Sequence, residues 1–298
     1  MMQFALISLI PGLIRHLQDS ADPKFNSCEE NLVMPTSLKT SERASCEFFR
    51  VLWDAMLMPL VLAYMGLPLQ LFGKGSLFGP YTPLQQLDML ADQDTKSYIV
   101  GSTNSLLLQQ RDRYSDILIN LDEHTVNTTS TSLRQASILS TPDRRWIDFL
   151  TQTVNDTWDE SNPSRPKDHG FPGSEEFIRM QFEEYLLAML SSVKYKLYMD
   201  KNVHKEPFIS DVEGDPASEF SLDWVHAWQQ TENFRIWNQH TDSHLFDIVD
   251  PKHPCSGGLS IEDVQRRLAQ YVSLHSYSPS YCDLPSRSVF FKIRCSAL

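Results

Sequence analysis

Short apolar runs broken by glycine and proline fill the first 130 residues, and stripes of helical period fill most of the remaining chain. Residues 4–14 (FALISLIPGLI) read as a short amphipathic helix reaching about residue 18, with Pro11-Gly12 inside it. Residues 67–72 read as a buried strand closed by Gly73-Lys74-Gly75. Thr82-Pro83 then supplies an N-cap and a first-turn proline for a helix to about residue 91. Residues 97–100 (SYIV) with Gly101 read as a second strand and its turn. Residues 116–121 (DILINL), ended by Asp122-Glu123, read as a third, and 125–129 as a weaker fourth. Short apolar strands separated by helices predict an α/β lobe with a mostly parallel sheet.

Beyond residue 130 the period changes to that of helices. Thr141-Pro142 opens one with Trp146, Phe149, Leu150, Thr153 and Val154 on one face. A Pro/Gly-rich loop at 161–173 ends it, and Ser174 caps a long helix with Glu175 and Glu176 at its positive end. Its wide stripe, Ile178, Phe182, Tyr185, Leu186, Met189 and Val193, predicts a helix central to an all-α lobe. A polar linker at 201–217 precedes a further helical face holding Phe220, Trp224, Ala227, Trp228, Thr231 and Phe234. Ser260-Ile261-Glu262-Asp263 resembles a capping box opening a last helix.

Composition narrows the function classes. The net charge of −12 and the absence of a Lys/Arg cluster argue against nucleic acid as a partner. Five widely spaced cysteines without a Cys-x-x-Cys read as reduced thiols in a reducing compartment. The N-terminal apolar run has no preceding Lys or Arg, which a secretory signal requires. Residues 55–73 are uncharged over a span long enough for a bilayer, but Pro59, Gly66, Pro68 and Gln70 interrupt them, which favours a buried strand. A membrane span is therefore not the expectation for this stretch.

Candidate chemistry is sparse. Gly73-x-Gly75-x-x-x-Gly79 lacks the Ser/Thr and the helix of a phosphate loop, so no cofactor is expected there. His240, Asp242, His244, Asp247, His253 and Cys255 crowd residues 240–255, and zinc takes such ligands. Asp250-Pro251 and His253-Pro254 break the backbone, however, and no Glu follows His240 as general base, so a satisfied surface loop without metal is the expectation and a metal-dependent hydrolase the distant alternative. There is no Gly-x-Ser-x-Gly elbow. No catalytic residue is assigned.

The runs GPYTPLQQLDML (79–90), SYIVGSTNSLLLQQRDRYSDILINLDE (97–123), DRRWIDFLTQTVNDTWDE (143–160), GSEEFIRMQFEEYLLAMLSSVKY (173–195) and HPCSGGLSIEDVQRRLAQ (253–270) resemble the fungal late-secretory-pathway proteins of the AVL type, in the DENN superfamily. The resemblance implies a central α/β lobe at 1–130 and a helical C-terminal lobe at 131–270, in an incomplete copy lacking the longin-like N-terminal lobe. Two stretches depart from it. Residues 46–61 interrupt the family pattern and are expected to be a non-native insertion; residues 271–298 have no helical period and are expected to be an aberrant or disordered tail. Both read as translated introns, since Gln270-Tyr271-Val272 can be encoded with a GTATGT splice donor.

The resemblance also implies a cytoplasmic regulator of vesicle transport from Golgi to plasma membrane, working on a Rab-type small GTPase as exchange factor or as scaffold. An exchange factor needs a shaped surface rather than a nucleophile, because it acts by binding the nucleotide-free GTPase better than the GDP-bound form. Strand ends of an open α/β sheet are where partners dock. That makes Gly101, Ser102, Thr103 and Asn104 after the second strand, with Asp122 and Glu123 after the third, the candidate partner-binding residues.

Overall fold

The computed structural model describes residues 2–20, 65–69, 71–158, 161, 171–202, 215–257 and 290–294. The expected insertion at 46–61 and the capping box at 260–263 lie outside them, as does most of the tail.

The N-terminal apolar run forms α1 (Met2–Ser8) and a 3₁₀ segment (Leu13–Ser20), parted at Gly12, whose φ is +76°. Ile7 and Leu13 are each 2% exposed and pack with Phe72 and Phe78. The chain then builds β1 (Ser76–Gly79), α2 (Leu87–Ala91), β2 (Ser97–Ser102), α3 (Ser105–Gln109), α4 (Arg111–Tyr114), β3 (Ile117–Asn120) and β4 (Thr125–Thr128). A 3₁₀ turn, Leu84–Gln86, leads into α2 with Pro83 at its N-cap position, so Thr82 is not the cap expected of it.

One sheet gathers the strands in the order β1-β2-β5-β3-β4, where β5 is Phe290–Arg294. β1 runs parallel to β2, with Gly79 beside Val100. β2 and β3 each run antiparallel to β5, and β3 pairs antiparallel with β4. The expected mostly parallel sheet is thus a mixed one among the described residues. The reason is local: a turn of four residues, 121–124, joins β3 to β4, and only an antiparallel partner is within reach of so short a connection. The other two antiparallel pairings come from β5, which lies inside the stretch where no regular structure is expected.

The first strand is also displaced. The described residues 67–69 and 71–72 are not a strand, and β1 follows Gly73-Lys74-Gly75 instead of preceding it. Pro68 has no N–H for a ladder, and Met65, Leu67 and Leu69 are buried in the helical core beside Leu190, Trp228 and Trp237. Gly66 allows this path. Its φ is +77°, a Cβ there would fall 2.3 Å from Thr241 Cγ2, and Trp237 Nε1 donates to the carbonyl of Met65 at 3.1 Å. The uncharged span is core in this part; residues 55–64 lie outside the described residues.

The second lobe holds α5 (Thr131–Ala136), α6 (Thr141–Thr157), α7 (Glu175–Lys201), α8 (Leu222–Gln229) and α9 (Glu232–His240). Ser140 and Asp143 form a reciprocal capping box at the start of α6. Ser174 Oγ accepts from Phe177 N–H at 3.1 Å at the start of α7. From Leu187 to Tyr195 every residue of α7 is buried, which makes it the axis of the lobe. The face expected as one helix from Phe220 is divided: Thr231 caps a new helix, so α8 and α9 pack as a pair through Trp228, Phe234 and Trp237. No helix of the described residues is long and apolar enough to cross a membrane.

Candidate partner-binding rim

Because β2 and β3 are both antiparallel to β5, they are parallel to each other, and β1 is parallel to β2. The carboxyl ends of β1, β2 and β3 therefore lie along one edge of the sheet. Three short segments make that rim: Pro80-Tyr81-Thr82, Thr103-Asn104, and the turn 121–124.

Hydrogen bonds tie the first two segments together and shape the third from within. Thr82 N–H donates to Gly101 O at 2.7 Å, and Ser102 Oγ donates to Thr82 O at 3.1 Å. The fully buried Gln3 of α1 donates from Nε2 to Pro80 O at 3.1 Å. Ser102 Oγ also accepts from Asn104 N–H at 3.2 Å, and Asn104 Oδ1 accepts from Leu106 N–H at 2.9 Å as the N-cap of α3. On β3, Asn120 Oδ1 accepts from the N–H groups of Asp122 and Glu123 at 3.1 and 3.3 Å. Gly101 is needed for close approach: a Cβ there would sit 1.8 Å from Gln3 Nε2 and 2.6 Å from Pro80 O.

The six candidate residues consequently divide in two. Gly101 and Ser102 are not a turn; they are the buried last residues of β2, and they hold the rim together from inside. Asn104 is occupied as a cap. Thr103, Asp122 and Glu123 face solvent. The fold brings both turns to one edge, with β5 between their strands, roughly 10 Å apart at ordinary strand spacing. Sequence reasoning misses the third segment. Tyr81 is 65% exposed, Leu84 50% and, beside Gln3, Phe4 42% with its ring 5.2 Å from that of Phe78. The signal was present in Gly79-Pro80-Tyr81, but it reads as a strand end only once β1 is placed at Ser76–Gly79.

The His/Asp/Cys cluster does not converge. Among the described residues no group of three His, Cys, Asp or Glu side chains is placed to hold a metal ion. His240 donates from Nδ1 to Ile236 O at 2.9 Å, and Asp242 Oδ1 accepts from His244 N–H at 2.7 Å. His253 points the other way, into the helical core. Cys255 N–H donates to its Nδ1 at 2.9 Å, so the ring proton is on Nε2, facing Asp143 Oδ1 at 3.2 Å. Asp143 Oδ1 also accepts from Tyr185 Oη at 2.8 Å, and Oδ2 from Ser140 N–H at 2.9 Å. Burial alone would raise the Asp143 carboxyl, but hydrogen bonds from His253, Ser140 and Tyr185 outweigh it and hold it below the usual carboxylate range. Burial, together with the Asp143 charge, pushes the Tyr185 hydroxyl well up. The network has no solvent-facing nucleophile; it ties α6, α7 and residues 253–256 into one unit.

Residues 1–193 match the profile of the family described as Transport protein Avl9. The chain is similar to the late secretory pathway protein AVL9 of Saccharomyces cerevisiae, 38% identical over 279 residues, which cover 92% of this chain and 35% of that protein. It is similar as well to the late secretory pathway protein avl9 of Schizosaccharomyces pombe, 32% identical over 285 residues, covering 94% of this chain and 56% of that protein. The chain thus spans from about a third to just over half of these relatives. No solved structure matches it.

Proposed function

This chain belongs to the Avl9 transport-protein family, and from that premise we propose that it regulates membrane traffic in the late secretory pathway, between Golgi and plasma membrane, by binding a Rab-type small GTPase and promoting its GDP/GTP exchange. The observation that carries the reading is the match of residues 1–193 to the family, together with relatives named for the late secretory pathway. In this reading the protein belongs to the DENN superfamily, works in the cytoplasm and associates with Golgi or vesicle membranes peripherally, through its partners.

The rim gives the reading a physical basis. Exchange requires a rigid surface whose affinity for the empty GTPase exceeds that for the loaded one, and reciprocity converts that difference into faster GDP release. A rim pinned by buried polar groups at Gln3, Ser102 and Asn120 supplies rigidity without any proton-transfer group. The test is release of a fluorescent GDP analogue from a panel of purified Rab-type GTPases. Acceleration for one or a few members is the expected result. Binding without acceleration would replace exchange by the scaffold reading, and binding to none would remove the GTPase from it.

A further inference from the structure

We infer that the contact surface for the partner is centred on Tyr81, with Leu84 and Phe4 around it, and that the acidic turn Asp122-Glu123 is its charged border; the inference rests on the GTPase reading above and says which side chains do the binding.

Three observations lead there. The first is exposure. Tyr81 at 65%, Leu84 at 50% and Phe4 at 42% are three of the eleven large hydrophobic side chains exposed among the described residues, and these three gather at the β1 end of the rim. Exposed single apolar residues are ordinary, but here each adjoins a residue that a hydrogen bond ties to the rim or follows one closely in sequence. Phe4 follows Gln3, whose carboxamide holds Pro80; Tyr81 follows Pro80; Thr82, bonded to Gly101 and Ser102, precedes the turn carrying Leu84. A rigid aromatic on a fixed support loses little entropy when a partner covers it, which is the usual character of a binding hot spot.

Charge gives the second observation. Residues 2–4, 80–84, 102–106 and 121–124 contain Asp122 and Glu123 and no Lys or Arg. These described segments are therefore apolar at the β1 end and acidic at the β3 end. It fits a GTPase surface that presents an apolar strip with Lys or Arg beside it. Size is the third. From β1 to β3 there are three strand spacings, so Tyr81 and the acidic turn lie roughly 14 Å apart. A standard interface covers about 800 Å² on each partner, roughly 30 Å across. One partner can cover both ends.

The core of an interface and its charged border leave different kinetic signatures. Loss of the apolar anchor raises the off-rate, whereas loss of border charge lowers the on-rate and its dependence on salt. The experiment measures association of the full chain with nucleotide-free Rab-type GTPases by surface plasmon resonance at low and high salt. Tyr81→Ala is expected to weaken binding at least about tenfold through the off-rate. Asp122→Lys with Glu123→Lys is expected to slow association and flatten its salt dependence. Each variant is checked for an unchanged Tm, and Leu84→Lys replaces Tyr81→Ala if the latter lowers it. Wild-type binding that Tyr81→Ala and Leu84→Lys leave intact overturns this inference while the GTPase reading stands. Wild-type protein that binds no GTPase overturns both.

Discussion

His253 donates from Nε2 to Asp143 across 3.2 Å, with the His253 side chain fully buried and that of Asp143 6% exposed. Around the pair, Tyr185 and Phe220 place their rings 5.4 and 4.8 Å from the imidazole. Glu219 accepts from His253 N–H and from Ser256 Oγ, at 2.9 and 2.6 Å. The segment that resembles a metal-ligand run is, through these bonds, the latch that closes the helical lobe.

Removing the imidazole leaves a buried carboxylate with one donor fewer and a gap among aromatic rings. His253→Ala is expected to cost about 3 kcal/mol, which corresponds to roughly 6–12 °C in Tm for a chain of this size. His253→Gln, which keeps a donor, should cost less. A thermal melt showing both variants at wild-type Tm would mean that the pair is no latch.

The pH dependence has two opposed contributions. Asp143 is held below its ordinary value, so its contribution is complete above the unfolded-state carboxyl pKa and is lost as pH falls through the folded-state value. Glu183 is the reverse case. Burial alone pushes its carboxyl up to about 7, and its buried Oε1 makes no hydrogen bond. A raised acid favours the fold at low pH and disfavours it as pH rises through 7. Glu183→Gln should accordingly raise Tm at pH 8, by the equivalent of about 1–3 kcal/mol, and raise it much less at pH 5. An equal gain at both pH values would show that ionisation is not the cause.

Lys194 makes a parallel case with the charge inverted. Burial lowers its ammonium to about 8, while Nζ donates to Asn238 O and Oδ1 at 3.2 and 2.7 Å and lies 4.6 Å from the Trp237 ring centroid. A depressed base weakens the fold while it is charged, so stability attributable to Lys194 should increase from pH 7 to pH 10. Lys194→Met should flatten that part of the stability profile measured by urea unfolding. A slope unchanged by the substitution would assign it to other groups.

Helix starts were the most legible feature of this chain, and the reason is chemical. Pro142 and Ser174 with Glu175 mark starts locally, because first-turn signals involve only neighbouring residues; the cap of α6 is Ser140, one residue before the Thr141 expected to open it. The end of β3 is legible in the same way through Asp122, whereas β2 runs two residues past its expected end at Val100, through the expected turn at Gly101 to Ser102, before Asn104 caps α3. The start of the sheet is not legible. Leu67 and Leu69 are apolar because α7, α8 and α9 cover them, and burial in a loop leaves the same mark on the sequence as burial in a strand. That single displacement hid Tyr81 from the candidate rim. The cluster at 240–255 reads as a surface loop, but its end is buried: His253 and Cys255 belong to a core built around Asp143 and Trp146, more than 100 residues earlier, a partnership that local sequence does not contain.

Gly101 offers a direct test of the rim's construction. A methyl group at this position meets the Gln3 carboxamide and the Pro80 carbonyl. Gly101→Ala is expected to cost about 1–3 kcal/mol, and Gln3→Ala a smaller amount through its lost bond to Pro80. Since the two changes act on the same few atoms, their effects should not add: shortening Gln3 removes part of the clash. A double-mutant cycle by chemical denaturation measures this. Additive costs would mean that Gly101 and Gln3 do not meet.

The central place of β5 leads to a sharper expectation. β5 separates β2 from β3, with Ile293 paired to Ile99 on one side and Ile117 on the other. Yet β2 and β3 are parallel and joined by residues 103–116, a connection of the length that ordinarily links adjacent parallel strands through helices. The unit can therefore close on itself: a movement of about one strand spacing, roughly 4.8 Å, brings Ile99 beside Ile117. Ending the chain after residue 289 removes every backbone bond that β5 makes, so without closure the amides of β2 facing it would exchange freely. With closure they remain covered by β3. Hydrogen exchange of the truncated protein is expected to leave the Tyr98–Ser102 amides protected and the helical lobe unchanged. Rapid exchange along both β2 and β3 would mean that β5 is an indispensable strand of the sheet.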